Sequence, residues 1–243
     1  MPNLLTSVWR AVSHFFFPQR CSCCRLDLPY KHSAPLCAAC AAQLKKTGPL
    51  VCQRCGRVLP SGGAHCFACR GSKAEHYKCK IIRSVFVFEG PARRLVHALK
   101  YRQAFTLARY MGAQMAAYLS QTPQLQGVNY VMPVALHRKR YYARGFNQSE
   151  MLARVVAEQL HLPLDTASLV RVRNTGSQTK LGREARLRNM QGAFVCTVPD
   201  KVKGKVILLI DDVCTTGATL EACAVSLRAA GAKRVVALTY ARE

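Results

Sequence analysis

Residues 206–220 (VILLIDDVCTTGATL) constrain the fold of this 243-residue chain more than any other segment. The segment begins with a continuous run of branched apolar residues, Val206 to Ile210, which is typical of a strand buried on both faces of a parallel sheet. Two aspartates, Asp211 and Asp212, follow that strand, and a Thr-Gly loop then opens a segment with helical periodicity. Because open α/β sheets bind ligands at the carboxyl ends of their strands, the segment predicts a doubly wound, mostly parallel sheet with a ligand site at this loop.

The loop after the two aspartates has the chemistry of a phosphate cradle. Backbone N–H groups at a helix start favour an anion, small residues let the backbone approach it closely, and threonine hydroxyls add donors. Ionised carboxylates only accept hydrogen bonds, so the aspartates suit the hydroxyls of a ribose. The predicted phosphate-binding residues are Thr215, Thr216, Gly217, Ala218 and Thr219, and the predicted ribose-binding residues are Asp211 and Asp212. An ordinary helix N-terminus preceded by a tight Thr-Gly turn is the alternative interpretation.

Eight of the 13 cysteines form four Cys-x-x-Cys pairs before residue 70. Two residues between thiolates let a tight turn present both sulfurs to one tetrahedral zinc, and two such turns complete a closed structural site. We therefore predict a small double zinc ribbon over residues 18–75 with two structural zinc ions, paired in sequence order, with cross-braced pairing as the alternative. No signal peptide is apparent, so we expect a reducing, cytoplasmic location without disulfides. The predicted ligands are Cys21, Cys24, Cys37, Cys40, Cys52, Cys55, Cys66 and Cys69.

The charge balance is extreme, with 36 Lys and Arg against 12 Asp and Glu and a net charge of +24. Such a field attracts polyanions. One basic cluster, residues 137–147, mixes cations with aromatic side chains, as in grooves that track a nucleic-acid backbone and stack bases, although a solvated basic turn is the alternative. A second cluster, residues 171–194, lacks an apolar period, which favours mobility. The predicted nucleic-acid-binding residues are Arg140, Tyr141, Tyr142, Arg144, Phe146, Arg183, Arg186 and Arg188.

The remaining patterns divide the chain into three parts. Residues 1–17 have helical apolar spacing but are too short to span a bilayer, so docking onto the zinc module or a partner is favoured over attachment to a membrane surface. An α/β domain is predicted over residues 81–243. Its predicted elements are a strand at 81–90, a helix from Pro91 to about Ser120, a strand at 128–136, a loop at 137–147, a helix capped by Asn147 and a closing strand at 235–240.

Residues 206–220 closely resemble the PRPP-binding loop of type I phosphoribosyltransferases, in which hydrophobic residues and two acids precede Thr-Gly, a small residue and Thr. Together with the four Cys-x-x-Cys pairs and the RGFNQSE motif at 144–150, this makes the whole chain similar to the ComF family of competence proteins. The resemblance implies a zinc module joined to a phosphoribosyltransferase-type domain. It also implies a role in handling incoming single-stranded DNA during natural transformation, with a competence helicase or uptake protein as a further partner.

The same resemblance implies a chemistry for the loop. If the site is active, a glycosyltransferase reaction would displace pyrophosphate from the anomeric carbon of PRPP. Asp211 and Asp212 would be the catalytic pair, Arg138 and Lys139 would hold the pyrophosphate, magnesium would bridge substrate oxygens, and residues 171–194 would form a flap over PRPP. Three functions follow for testing: DNA handling with a PRPP-type site, an active phosphoribosyltransferase with an unknown acceptor, and a zinc-ribbon adaptor that docks a helicase or uptake partner.

Overall fold

A computed structural model describes residues 18–30, 32–71, 76–101, 105–175 and 183–243 of the chain. The predicted N-terminal helix at 1–17 lies outside the described residues, as does the middle of the second basic cluster, residues 176–182. None of the helices in the described ranges has both the length and the apolar character needed to cross a bilayer.

The described residues form helices and strands that largely alternate along the chain. The helices are α1 (Ala38–Ala42), α2 (Gly90–Tyr101), α3 (Phe105–Ser120), α4 (Arg138–Arg144), α5 (Gln148–Gln159), α6 (Arg183–Met190), α7 (Pro199–Val202) and α8 (Ala218–Ala229). The strands are β1 (Cys79–Val87), β2 (Tyr130–Pro133), β3 (Leu169–Arg171), β4 (Phe194–Cys196), β5 (Val206–Cys214) and β6 (Arg234–Arg242).

Four strands form a parallel sheet in the order β1-β6-β5-β2, and β3 pairs with β4 in a separate antiparallel sheet. The apolar run of β5 is buried on both faces of the parallel sheet, as its sequence predicted. Leu208 and Ile210 pack in the core that includes α3 and α5, whereas Ile207 and Leu209 pack in the core that includes α8. Helices therefore cover both faces, which confirms the predicted doubly wound α/β fold.

The central strand is longer than its apolar run. It continues past Ile210 to Cys214, because Val213 and Cys214 still pair with Ala241 and Arg242 of β6. The two aspartates therefore lie within the part of β5 that pairs with β6 beyond the end of β2, which fixes their backbone at the carboxyl end of the sheet.

The segment after β2 differs from the predicted loop, because residues Arg138–Arg144 form helix α4. The side chain of His137 caps this helix by accepting a hydrogen bond from the backbone N–H of Lys139 at 3.3 Å. Gly145 ends the helix with φ at 83°, a left-handed conformation that glycine adopts without a steric penalty. The next helix, α5, is capped by the side chain of Asn147, as predicted.

The zinc module continues the sheet beyond the outer edge of β1. Val87 N donates to Lys45 O at 2.9 Å, and Thr47 N donates to Val85 O at 3.1 Å. At Gly56, a Cβ atom would lie 2.6 Å from the carbonyl oxygen of a β1 residue, so only glycine permits this close approach. The contacts cover an edge strand that would otherwise expose unpaired backbone groups.

A buried ion pair also joins the module to the parallel sheet. Arg54 donates through Nη2 to Glu221 Oε2 at 3.2 Å and through Nη1 to Cys69 Sγ at 3.4 Å. Glu221 lies in the first turn of α8 and also accepts hydrogen bonds from the backbone N–H groups of Lys78 and Cys79. The cysteines at 52, 55, 66 and 69, here called the second cysteine group, are thereby connected to α8, the helix that follows the predicted phosphate loop.

Candidate functional site

A cleft of about 630 Å³ opens at the carboxyl end of the parallel sheet. It contains the predicted acid Asp212 together with most of the predicted phosphate loop and several cations from distant segments. The loop and basic residues in its wall are Thr215, Thr216, Ala218, Thr219, Arg93, Lys100, Arg140, Arg171 and Arg186.

Asp211 and Asp212 are both buried and lie in different hydrogen-bond environments. Asp211 Oδ1 accepts from Ser149 Oγ at 2.7 Å and from the backbone N–H of Asp212 at 2.9 Å. Asp212 Oδ2 lies 2.6 Å from Lys100 Nζ in an ion pair. Burial and the nearby charge of Asp212 raise the pKa of Asp211 from 3.8 to about 7. Near neutral pH Asp211 is therefore protonated in part of the molecules, while Lys100 provides the counter-charge to Asp212.

The raised pKa of Asp211 gives a testable pH dependence of stability. The folded carboxyl keeps its proton to a higher pH than the unfolded one, so its contribution to the free energy of unfolding falls as pH rises from 3.8 to about 7. Asp211→Asn keeps an oxygen for Ser149 but cannot ionise. We expect it to raise the melting temperature relative to wild type by several degrees at about pH 8 and by little at about pH 4.

Thermal melts at the two pH values check this expectation. The matched control is Asp200→Asn, which changes an exposed aspartate. This control should shift the melting temperature by the same small amount at both pH values. An Asp211→Asn effect that is the same at both pH values would show that Asp211 ionises normally in the folded chain.

The predicted phosphate loop turns into α8 through a glycine in the left-handed region. Gly217 precedes α8 with φ at 82°, and a Cβ atom there would lie 3.3 Å from the side chain of Ile82. The hydroxyl of Thr216 accepts from the backbone N–H of Ala218 at 3.3 Å, which is a bond that an incoming phosphate oxygen can replace. Cys214 in the same segment is buried, and burial raises the pKa of its thiol, so it is a packing residue rather than a nucleophile.

Basic side chains surround the loop from two directions. Arg186 Nη1 donates to Thr215 Oγ1 at 3.2 Å, so α6 from the second basic cluster reaches the phosphate loop. Arg140 Nη2 donates to the carbonyl oxygen of Thr175 at 3.1 Å, which connects α4 to the same cluster. Burial lowers the pKa of Arg171, as does the neighbouring charge of Arg140, because each cation disfavours the other. The cleft therefore concentrates positive charge opposite the aspartate pair.

Helix α4 separates the predicted basic residues onto different surfaces. Consecutive side chains on a helix point about 100° apart, and Arg140 lines the 630 Å³ cleft while Arg138 lines a neighbouring cavity of about 280 Å³. Lys139 is exposed and lines neither cavity. Arg140 and Lys100 line the cleft, whereas the predicted pyrophosphate residues Arg138 and Lys139 do not, and their assignment stays a prediction.

The predicted nucleic-acid-binding residues also lie in different parts of the structure. Tyr141 and Tyr142 line the 280 Å³ cavity and are 44% and 72% exposed. Phe146 is buried in the fold, so the prediction that it stacks bases is wrong. Arg144 donates to the side-chain oxygen of Gln148. Of the predicted residues in α6, Arg183 begins the helix, Arg186 contacts the phosphate loop and Arg188 is exposed.

The eight paired cysteines form two groups, in sequence order, and the cross-braced alternative is not observed. Within each group the four sulfur atoms lie within 4.8 Å of one another. The Cys24–Cys37 and Cys55–Cys66 sulfur pairs are each 3.7 Å apart, close to the ~3.8 Å expected for two thiolates at ~2.3 Å from a tetrahedral zinc. The first group is Cys21, Cys24, Cys37 and Cys40, and the second is Cys52, Cys55, Cys66 and Cys69.

The crowding of the thiols shifts their pKa values. A hydrogen bond to Cys69 and burial raise the pKa of Cys55 to about 12, while that hydrogen bond lowers the pKa of Cys69. Burial also raises the pKa of Cys40. Four sulfurs this close cannot all ionise without a cation among them, so both groups fit zinc and predict proton release when it binds.

A parallel sheet whose central strand ends in two aspartates and a Thr-Gly loop defines a type I phosphoribosyltransferase-like domain, and residues 147–242 match the phosphoribosyl transferase domain family. Residues 12–70 match the double zinc ribbon domain family. With both modules in this order, the chain belongs to the ComF family of competence and DNA utilization proteins.

Three relatives illustrate this membership. Competence protein F of Haemophilus influenzae is 30% identical over 93% of this chain and 98% of its own length. DNA utilization protein YhgH of Salmonella typhimurium is 31% identical over 90% and 94%, and competence protein ComFC of Bacillus subtilis is 28% identical over 78% and 76%. A solved purine phosphoribosyltransferase from Pyrococcus horikoshii is 16% identical over 55% of this chain and 83% of that chain, with a TM-score of 0.35. The family membership rests on the relatives and the two domain matches.

Proposed function

We propose that this protein handles single-stranded DNA in the cytoplasm during natural transformation and that its phosphoribosyltransferase-type cleft binds PRPP or a related ribose phosphate. The observation that supports the proposal is the meeting, in one cleft, of a buried aspartate, four residues of the predicted phosphate loop and five lysine and arginine side chains. Relatives named as competence and DNA utilization proteins support the biological setting. Zinc would be structural, and a helicase or uptake protein would be the partner for the N-terminal module.

PRPP fits the cleft by charge and hydrogen-bond type. Its 5-phosphate would accept bonds from the first N–H groups of α8 and from the loop threonines. Its ribose hydroxyls would donate to Asp212 and exchange hydrogen bonds with Asp211, which donates as well as accepts when it carries its proton. Its pyrophosphate would lie toward Lys100 and Arg140, where magnesium would neutralise part of the diphosphate charge.

The net charge supports single-stranded DNA as a second, larger ligand. A net charge of +24 exceeds what a small anionic substrate needs. Tyr141 and Tyr142 present exposed rings with centroids 6.3 Å apart, beside Arg138 in the same cavity. Exposed aromatic rings next to cations are the arrangement by which proteins stack successive bases while holding the backbone.

Replacing both Tyr141 and Tyr142 by alanine should weaken single-stranded DNA binding by about tenfold or more, since each stacked base contributes roughly 1–3 kcal/mol. Fluorescence anisotropy with a labelled oligonucleotide measures this, repeated over a salt series, and the wild-type affinity should fall steeply with salt. Phe67→Ala is the matched control, because Phe67 is 94% exposed and lines neither cavity. An unchanged affinity in the double variant would remove the stacking surface from the proposal.

Catalysis is a second candidate function. The buried carboxylate of Asp212 favours it, because an ionised carboxylate beside the ribose could stabilise positive charge at the anomeric carbon as pyrophosphate leaves and Lys100 moves to the departing diphosphate. Release of pyrophosphate from PRPP in the presence of candidate acceptors distinguishes an active transferase from a binding site.

An adaptor is the third function to test. Deletion of residues 1–80 should abolish binding of its protein partner and leave DNA binding unchanged.

A further inference from the structure

We propose, resting on the function proposed above, that the cleft receives the 3′-terminal nucleotide of a single strand. A second anion subsite, between the zinc module and the phosphate loop, would hold the backbone of the preceding nucleotide. This assigns an end preference and a polarity to the bound strand.

The second subsite is a cavity of about 450 Å³, here called the junction cavity. Arg57 enters it from the second cysteine group, Arg186 from α6 and Arg242 from the end of β6. One carboxylate, that of the exposed Glu243, lines the same cavity. Three guanidinium groups against one carboxylate leave it positive, which suits a phosphate group.

Arg242 is the strongest indication of a missing anion. It is 3% exposed, and its Nη1 donates to Cys214 Sγ at 2.9 Å while its Nη2 donates to the carbonyl oxygen of Thr215 at 3.5 Å. Within the part of the chain that the structure describes, Arg242 forms no ion pair and its buried Nε has no hydrogen-bond partner. A buried cation without a carboxylate is costly, and an anion in the junction cavity would offset that cost.

The phosphate loop is shared between the two cavities. Thr215, Thr216 and Arg186 line both the junction cavity and the 630 Å³ cleft that contains Asp212. A phosphate monoester such as that of PRPP needs space on only one side of the loop. A loop open on both sides can accept a phosphodiester, with one ester oxygen leading to the ribose in the cleft and the other leading into the junction cavity.

The aspartate pair then determines which nucleotide fits. The ribose hydroxyls of the nucleotide in the cleft face Asp211 and Asp212, which suit hydrogen-bond donors. A phosphodiester on the 3′ oxygen would remove that donor and bring a negative charge beside the carboxylates. Only a nucleotide with a free 3′ hydroxyl avoids this, so the strand must end in the cleft. Its 5′ phosphodiester lies in the loop, and the rest of the strand runs back through the junction cavity.

Arg57 occupies its position because of the second cysteine group. Its carbonyl oxygen accepts from the backbone N–H of Cys52 at 2.8 Å. The preceding Gly56 has φ at 71° and no room for a side chain against β1. Metal binding to this group therefore fixes one wall of the junction cavity.

The test compares four oligonucleotides of about 12 nucleotides, of one sequence and with a 5′ fluorophore, bound to the full metal-loaded chain at one salt concentration. They end in a 3′ deoxynucleotide hydroxyl, a 2′,3′-dideoxynucleotide, a 3′ phosphate or a single 3′ ribonucleotide. We expect the ribonucleotide end to bind tightest, since it offers two hydroxyls, and the dideoxy and phosphate ends to bind about tenfold more weakly than the deoxynucleotide end.

A variant separates the junction cavity from the cleft. Arg57→Gln should weaken binding of the 3′-hydroxyl oligonucleotide about threefold to tenfold and reduce the salt slope by about one. It should leave PRPP binding and metal content unchanged. Arg109→Gln is the matched control, an exposed arginine on α3 that lines neither cavity, and it should bind like wild type.

Each result is decisive. Equal affinities for all four ends, beside intact PRPP binding and salt-sensitive DNA binding, would overturn the end preference while leaving the proposed function in place. An Arg57→Gln variant that binds DNA like wild type would overturn the junction subsite. A wild-type chain that binds neither PRPP nor DNA would instead overturn the proposed function itself.

Discussion

Changing Cys55 to serine should release one metal ion per chain, unfold the second half of the zinc module and lower the melting temperature of the whole protein. Structural zinc contributes roughly 10–16 kcal/mol in small zinc domains, which is as large as the total stability of a typical domain. The sulfur atoms of this group are surrounded mainly by one another and by Leu59 and Ala68. A core this small has too little buried apolar surface to hold the ribbon without metal.

The effect should extend beyond the ribbon because of Arg54. The guanidinium of Arg54 is buried and donates hydrogen bonds to both Cys69 and Glu221. When Cys69 no longer binds metal and the ribbon unfolds, Arg54 is no longer held beside Glu221, and the buried carboxylate of Glu221 loses its ion-pair partner. An unpaired buried charge costs several kcal/mol, and about 2–4 °C of melting temperature accompanies each kcal/mol at this chain length. We therefore expect Cys55→Ser to destabilise β1 and α8 as well as the ribbon.

Metal content, far-ultraviolet circular dichroism and thermal melts measure these changes. Wild type should bind two zinc ions, one for each cysteine group. Cys196→Ser, which changes a cysteine in β4 outside both groups, should keep both ions and the wild-type melting temperature. A chelated wild-type chain with unchanged helicity and melting temperature would contradict a structural role for the metal.

The double change Asp211→Asn and Asp212→Asn should abolish measurable PRPP binding. It removes the two carboxylates proposed to receive ribose hydroxyls and leaves Lys100 without its ion-pair partner in the cleft. Hydrogen bonds to charged groups contribute roughly 1.5–3 kcal/mol each, so two of them correspond to about a 100-fold or greater loss of affinity. The asparagines keep the size of the side chains, so the fold should persist.

Calorimetric titration with PRPP and magnesium measures the loss, and circular dichroism verifies the fold of the variant. Asp200→Asn removes one exposed negative charge from α7 and should bind PRPP like wild type. Wild-type affinity in the double variant would show that the aspartates do not hold the ribose, and the cleft would then need another ligand.

The strand, aspartates and loop of residues 206–220 could be predicted because these parts are contiguous in sequence. Strand, aspartates, glycine and helix start follow one another within residues 206–220, so local rules fix their relative placement. The two metal groups were predictable for the same reason. Cysteine spacing within each Cys-x-x-Cys pair is a local property, and sequential pairing joins neighbouring segments.

The cations of the cleft could not be predicted in this way, because their partners are distant in sequence. Lys100 lies in the last turn of α2 and resembles any lysine placed near a helix C-terminus. Its contact with Asp212 depends on the strand order, which places the helix after β1 near the end of β5. Ser149 bonds Asp211 for a similar reason, since β2 and β5 are neighbours and α5 follows β2.

Helix α4 was mistaken for a loop because it buries no residue. Helices are recognised in sequence mainly by the apolar stripe that packs on a core, and a helix without one leaves no such period. The local signals were present, in the form of a His137 cap and a terminal Gly145, but a run of arginine, lysine and tyrosine obscured them. The helix matters for the site because it directs Arg138 and Arg140 into different cavities.

The central claim is that a DNA-handling protein of this family keeps a working ribose-phosphate site. Titration of the metal-loaded wild-type chain with PRPP and magnesium, with and without a 3′-hydroxyl oligonucleotide, tests it most directly. We expect PRPP to bind and the oligonucleotide to weaken that binding, since both would occupy the loop before α8. Salt-sensitive oligonucleotide binding without any detectable PRPP binding would contradict the claim and would reduce the cleft to a scaffold for nucleic acid.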